Sequence, residues 1–292
     1  MSRRAFISFA LLVCCGSSLP VQAQSRIDCD SANSRILNQT VHYCVMIPAG
    51  YEAAIARHPA KQYPVLYYLH GLSDNEQTLF KSGGWNLIED LRQQHKIGDF
   101  LIVAPEGKAS FYINSADKKV LYSDFSLREF MPSIERKYSI RKDRKDRAIS
   151  GVSMGGYGAL RWAFAHPELF GSVSAQSPAL VSQPSHPENS FGRFLGSVFG
   201  NPIDVPHWKR NDPFALARQN KAGLKSLAIY FNCGRNDEYG FENGAEALHR
   251  QLQSEGIKHE YHLYPGNHGA AYFLSHLEEV MKFHSAIFQS SK

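Results

Sequence analysis

Short apolar runs that alternate with longer helix-like stretches are the feature of this sequence that most constrains its fold. The runs are bounded by Gly, Pro, Asn or Asp, as buried strands are. The predicted strands are 65–69, 100–104, 148–150, 172–175, 227–232 and 261–264. The predicted helices are 85–95, 126–138, 154–166, 244–254 and 271–288. This alternation predicts an α/β fold, a doubly wound, mostly parallel sheet with helices on both faces. Residues 40–47 predict an earlier strand joined to an antiparallel leading edge.

The first 23 residues have the pattern of a signal peptide. Arg3 and Arg4 precede an apolar run that ends at Cys15, and Val21 to Ala23 supply small residues for cleavage. The apolar run is shorter than the roughly 20 residues that a membrane-spanning helix needs, and the residues before Cys14 and Cys15 make a poor lipidation site. We therefore expect residues 1–23 to be removed, no membrane anchor, and a secreted or periplasmic mature chain.

Residues 24–292 suit a single α/β domain with a large buried core. One segment, 178–220, interrupts the alternation and is rich in Pro, Ser, His and Asn. An insertion of this length in a compact domain is usually a lid or a binding wall, so we predict a lid-like element. The formal net charge is +5, and its densest basic run, 141–145, is broken by Asp143. That pattern indicates a solvated turn rather than a nucleic-acid surface.

The strongest local motif is Gly151-Val152-Ser153-Met154-Gly155. A strand is predicted before it and a helix after it, which is the strand, sharp turn and helix that presents a nucleophilic serine. The glycines allow neighbouring chain to pass close to the turn without a Cβ clash. Ser153 is the predicted nucleophile.

A serine hydroxyl needs a neighbouring base, and that base needs a carboxylate to orient it. In this arrangement the acid and then the histidine follow the serine along the chain. Asp237 comes just after the predicted strand 227–232, and His268 lies in a loop before the last helix. Glu238 is the alternative acid. The other histidines near the end of the chain, such as His262, are expected to be structural.

Two backbone amides should stabilise the oxyanion that forms during acyl transfer. Met154 directly follows the serine, and Leu72 follows His70-Gly71 at the end of the predicted strand 65–69. We predict these two amides as the oxyanion hole, the alternative being that His70-Gly71 is a plain turn. The predicted substrate contacts are His70, Trp85, Tyr239 and Trp208. For the three aromatic residues among them, packing in the core is an equally good explanation.

Three cysteines lie outside the predicted signal peptide. Cys29 and Cys44 are candidates for a disulfide in an oxidising compartment, and Cys233 is expected to be a buried, inert thiol. The chain has no CxxC pair and no HExxH motif, so we predict neither a metal site nor a cofactor.

Three blocks of the chain together resemble the esterase D family of α/β-hydrolases. They are the segments 64–71, 149–160 and 233–237, and the resemblance extends over residues 40–288. The family includes S-formylglutathione hydrolases, feruloyl and acetyl xylan esterases, and mycolyltransferases. The resemblance implies the same triad, Ser153, Asp237 and His268, and the same two oxyanion amides as the residues do.

This resemblance and the signal peptide favour a secreted serine esterase with no cofactor. We expect a small-molecule or polysaccharide-linked ester as substrate, with a short-chain, acetyl or feruloyl acyl group. Acyl transfer, thioester hydrolysis, peptide hydrolysis and a non-catalytic binding role on the same fold are the alternatives. The sequence does not determine the oligomeric state.

Overall fold

The computed structural model describes residues 24–181 and 190–290, so the predicted signal peptide lies outside the described residues. The described strands are β1 Arg26–Ser34, β2 Gln39–Ile47, β3 Val65–Leu69, β4 Leu101–Pro105, β5 Arg147–Val152, β6 Ser172–Gln176, β7 Ala228–Gly234 and β8 Glu260–Tyr264. They form one sheet in the order β1-β2-β4-β3-β5-β6-β7-β8. β1 and β2 are antiparallel to each other, β2 is antiparallel to β4, and the remaining neighbours are parallel. The predicted sheet and its antiparallel leading edge are confirmed.

Helices cover both faces of this sheet. The helices are α1 Tyr51–Arg57, α2 Trp85–Gln93, α3 Tyr122–Phe125, α4 Met131–Lys137, α5 Met154–Ala165, α6 Ser190–Phe199, α7 Val205–Asn211, α8 Pro213–Gln219, α9 Lys221–Leu224, α10 Phe241–Ser254, α11 Ala270–Ser275 and α12 Leu277–Gln289. Short helical turns at Phe80–Gly84, Ser126–Phe130 and Arg144–Asp146 complete the described elements. Among the described residues no helix is long and apolar enough to cross a membrane.

The core consists of two apolar clusters, one on each face of the sheet. β3 shows why: all five of its residues are buried, and they alternate between the two clusters. Tyr67 and Leu69 pack with α5 and α10, whereas Leu66 and Tyr68 pack with α2 and α12. A strand that is buried on both faces is a continuous apolar run, as β3 is, and β3 lies near the centre of the sheet.

The sheet's leading edge is fastened covalently. Cys29 and Cys44 are partners in the β1–β2 register and are joined by a disulfide with an S–S distance of 1.98 Å. Cys233 is a free, buried thiol at the end of β7. Burial raises the pKa of this thiol to about 12, so it is protonated at neutral pH.

The segment 178–220 was predicted to be a lid, but its described helices pack into the body of the domain. Phe199 and Trp208 lie in the same core cluster as α5, with ring centroids 4.6 Å apart. The Tyr157 hydroxyl of α5 donates to the Asn211 carbonyl at 2.7 Å. Helices α6 to α9 therefore extend one helical layer of the fold.

Candidate active site

Ser153 lies at the junction of β5 and α5 in a backbone conformation that side chains rarely adopt, with φ 53° and ψ −118°. Two glycines make this turn possible. A Cβ on Gly155 would lie 2.0 Å from the carbonyl oxygen of Leu69, and one on Gly151 would lie 2.3 Å from the backbone of Gly155. No side chain fits at either position, so β3, β5 and α5 can approach closely only with glycine there. The positive φ of Ser153 is held by this packing.

The structure brings the three predicted catalytic side chains into one hydrogen-bonded chain. His268 Nε2 lies 2.8 Å from Ser153 Oγ, and His268 Nδ1 lies 2.7 Å from Asp237 Oδ2. The Asp237 side chain is fully buried and that of His268 is 9% exposed. Asp237 follows β7 and His268 follows β8, so the ends of three parallel strands converge on one point.

Asp237 and Glu238 have different partners, which separates the two alternative acids. Asp237 contacts the imidazole ring and accepts a hydrogen bond from the Tyr239 amide at 3.0 Å. Glu238 instead accepts a hydrogen bond from the backbone amide of His268 at 2.8 Å. That bond is the main cause of a lowered pKa of the Glu238 carboxyl. Asp237 therefore contacts the imidazole ring of His268, and Glu238 contacts the backbone of the loop that carries His268.

The two predicted oxyanion donors both line the cavity at Ser153. Met154 is the first residue of α5, where an amide has no partner within the helix. Leu72 lies on the loop that follows β3. Among the described residues neither amide donates a hydrogen bond. Both are available to a negatively charged oxygen beside Ser153.

His70 was predicted as a substrate contact, but both of its ring nitrogens are bound to the protein. Nε2 accepts a hydrogen bond from the Gly107 amide at 2.7 Å, so Nδ1 carries the proton and donates it to the Gly71 carbonyl at 2.7 Å. The Tyr112 hydroxyl donates to the His70 carbonyl. Burial lowers the pKa of His70, which favours this neutral form. His70 lines the cavity and fixes the backbone that carries Leu72.

A cavity of about 460 Å³ surrounds Ser153, within the usual range of ligand sites. Tyr239 lines the cavity; the residue is 59% exposed, and its ring is edge-on to that of His268 with the ring centroids 4.9 Å apart. The predicted contacts Trp85 and Trp208 do not line it. The Trp85 indole donates to Ser25 Oγ at 3.1 Å, and Trp208 is buried against Phe199. These two predictions are wrong because both rings serve packing.

Several lining residues were not predicted. Apolar side chains come from the end of β3, from the turn before α2 and from α11 and α12; they are Tyr68, Leu79, Phe273, Leu274 and Leu277. Asp74, two residues after Leu72, also lines the cavity. Of the described part of segment 178–220, Ala179 alone does so. Position along the chain could have predicted most of these residues, because most of them lie shortly before or after a predicted catalytic segment.

The described residues contain no group of three or more His, Cys, Asp or Glu side chains that could hold a metal ion. The cavity at Ser153 itself offers a serine hydroxyl, an imidazole and two free amide donors. This set is suited to acyl transfer through a covalent intermediate.

Comparison with known proteins agrees with this chemistry. The Esterase family model matches residues 34–284. An acetyl esterase of Caldicellulosiruptor saccharolyticus is 27% identical over 236 residues, which cover 76% of this chain and 83% of the relative. An esterase of Mycobacterium tuberculosis is also 27% identical, over 77% of this chain, but the matched part spans about half (51%) of that relative's length.

Two solved structures resemble the fold over nearly its whole length. A ferulic acid esterase superposes with a TM-score of 0.77 at 26% identity, covering 91% of this chain and 99% of its own. An S-formylglutathione hydrolase of Staphylococcus aureus superposes with a TM-score of 0.75 at 22% identity, covering 90% of this chain and 100% of its own. The second likeness is one of fold alone.

Proposed function

Since this chain belongs to the Esterase family and is a serine carboxylic ester hydrolase of the α/β-hydrolase fold, we propose that Ser153, His268 and Asp237 are its catalytic triad. The observation that carries the proposal is the unbroken chain of hydrogen bonds from Asp237 through His268 to Ser153, at 2.7 and 2.8 Å. These are the distances over which a base can accept the proton of its nucleophile.

In the first half of the reaction Ser153 Oγ attacks the ester carbonyl carbon while His268 Nε2 takes its proton. The carbonyl oxygen becomes negative and accepts hydrogen bonds from the amides of Leu72 and Met154. The carbon–oxygen bond to the alcohol then breaks, and His268 returns the proton to the leaving oxygen. The acyl group remains on Ser153.

In the second half a water molecule attacks the acyl-enzyme and His268 takes its proton. Collapse of this second intermediate breaks the bond to Ser153 Oγ, which regains the proton. Asp237 accepts a hydrogen bond from His268 Nδ1 and so holds the imidazole in the tautomer that has its free lone pair on Nε2. No cofactor enters either half.

We propose short-chain, acetyl or feruloyl esters, free or linked to a polysaccharide, as substrates. The acetyl esterase relative and the ferulic acid esterase structure support this range. An exported mature chain, secreted or periplasmic, is part of the same proposal and rests on the leader pattern of residues 1–23. Transfer to an acceptor other than water and thioester hydrolysis use the same residues and are tested with the same variants.

The test is release of 4-nitrophenol from its acetate and butyrate esters, with methyl ferulate alongside. Ser153→Ala should lower kcat by at least about 10⁴-fold. Ser82→Ala, which removes an exposed hydroxyl from the same cavity, should stay close to wild type. An inert wild-type enzyme, or equal losses in the two variants, would overturn the assignment.

A further inference from the structure

The cavity at Ser153 has one closed side and one open side. The closed side, called here the inner pocket, is formed by Tyr68, Leu79, Val152, Phe273, Leu274 and Leu277. Tyr68, Leu79, Val152 and Leu277 are buried, and all six belong to or pack against the core cluster beneath α12. On the open side, the ring of Tyr239 is largely exposed.

The inner pocket suits the acyl group of an ester because of the order of events. The alcohol leaves first, and when it is attached to a polymer it must reach solvent directly. The acyl group stays on Ser153 until water attacks and needs no exit before then. The alcohol therefore belongs on the open side by Tyr239, and the acyl group in the inner pocket.

One polar atom in this apolar pocket has no partner. Tyr68 is 5% exposed and lines the cavity, and its hydroxyl forms no hydrogen bond within the described residues. Unlike the hydroxyl of Tyr67, the Tyr68 hydroxyl keeps some accessible surface. Because Tyr68 lines the cavity, we take this surface to face the cavity. An unpaired phenol in an apolar site carries a desolvation cost that a ligand's polar group would remove.

A carboxylate lines the same cavity as that phenol. It belongs to Asp74: a Cβ on Gly71 would lie 3.0 Å from Asp74 Oδ2 and 3.6 Å from Ser153 Cβ, and burial raises the pKa of this carboxyl. Burial and then the charge of Asp74 raise the pKa of the Tyr68 hydroxyl. The phenol can donate or accept a hydrogen bond, whereas the carboxylate only accepts and repels anions.

We propose that Tyr68 and Asp74 make the inner pocket selective for an uncharged acyl group that carries a hydroxyl, over the same acyl group without the hydroxyl or with a carboxylate. This inference rests on the proposed function. A site that offers a hydrogen bond to a substrate hydroxyl discriminates strongly against the analogue that lacks it, because its own polar group then stays unpaired.

The chain supplies a matched control one residue away. Tyr67 lies on the same strand and points into the opposite core cluster, where its buried hydroxyl lies near Glu135 but forms no hydrogen bond of normal geometry. Tyr67→Phe and Tyr68→Phe make the same chemical change, and only Tyr68 lines the cavity. Neither change removes a hydrogen bond of the protein, so both variants should fold.

The experiment compares kcat/KM for methyl 4-hydroxycinnamate, methyl cinnamate and methyl 4-carboxycinnamate. In wild type and Tyr67→Phe the hydroxylated ester should be favoured over methyl cinnamate by at least about tenfold, below the 10⁴–10⁵ of a fully matched site. In Tyr68→Phe the ratio should fall to about 1. Asp74→Asn should raise the rate on the carboxylated ester relative to methyl cinnamate.

Two outcomes overturn the inference and leave the proposed function intact: no preference for the hydroxylated ester in a wild type that cleaves methyl cinnamate, or a preference that Tyr68→Phe retains. Failure of wild type on every ester, including 4-nitrophenyl acetate, would instead remove the proposed function. The two failures are thus distinguishable in one set of assays.

Discussion

The buried histidine of the last helix should make this protein sensitive to mild acid. His284 on α12 has no exposed surface, and its two ring nitrogens contact two hydroxyl groups of β6, those of Ser172 and Ser174. Ser174 donates its own proton to Ser150, so His284 Nε2 donates to Ser174 and Nδ1 accepts from Ser172, at 2.8 Å each. This pattern of hydrogen bonds requires a neutral imidazole, because Nδ1 must accept a hydrogen bond from Ser172 rather than carry a proton.

Burial lowers the pKa of His284 to about 3, against about 6.5 in an unfolded chain. Between these values the unfolded state binds a proton that the folded state does not, so the free energy of unfolding falls as the pH falls below 6.5. From pH 7.5 to pH 5.0 this one group should remove about 2 kcal/mol of stability. Well above pH 6.5 His284 is neutral in both the folded and the unfolded state, so none of this stability is lost there.

Urea unfolding at pH 7.5 and pH 5.0 measures this loss in wild type and in His284→Gln, whose amide cannot titrate. The loss between the two pH values should be about 2 kcal/mol smaller in His284→Gln than in wild type. His58→Gln changes an exposed histidine and should keep the wild-type loss. If wild type and His284→Gln lose the same amount, the buried histidine is not the acid-sensitive group and the reasoning fails.

Two further predictions concern the support of the catalytic loop and turn. Glu238→Ala removes the acceptor for the His268 amide and should lower kcat by roughly tenfold at most, less than the ~100-fold of a 1 Å displacement. Glu238→Gln, which keeps an acceptor, should restore the rate, and equal losses would refute the positioning role. Gly155→Ala places a Cβ 2.0 Å from the Leu69 carbonyl and should lower Tm and reduce kcat/KM by about 100-fold or more. Gly196→Ala in α6, where the added Cβ meets ordinary contact at 3.7 Å, should leave both unchanged or raise Tm, and similar losses in the two variants would contradict the packing argument.

The sheet could be predicted because its strands have strong local signals. β3 was predicted with its observed bounds, and α5 with an error of one residue at its end. The last helix was predicted as one element but breaks at His276, whose ring stacks on Tyr264 at 4.1 Å. The break coincides with this tertiary contact, and periodicity along the chain does not report such contacts.

The helices of the segment 178–220 could have been found. Asp204 and Asp212 each cap a helix, accepting hydrogen bonds from amides one turn in, and each helix has a proline in its first turn. An aspartate followed by proline in this position is a recognised start of a helix. The polar composition of the segment outweighed these signals, so none of its helices was among the predicted elements.

The proposed catalytic residues and the substrate pocket differ in how far sequence can identify them. A triad needs a serine, a carboxylate and a histidine in this chain order, here Ser153 after β5, Asp237 after β7 and His268 after β8, so chemistry and chain order together select them. The inner pocket requires only shape and apolar surface, which many residues provide. Tyr68 illustrates the limit, because every residue of β3 is buried and no alternation of polarity indicates which face each one joins. Only the packed structure shows that Tyr67 lies in the core and Tyr68 at the cavity. Because the two side chains are chemically identical, this difference in position allows Tyr67 to serve as the control for the proposed specificity residue Tyr68.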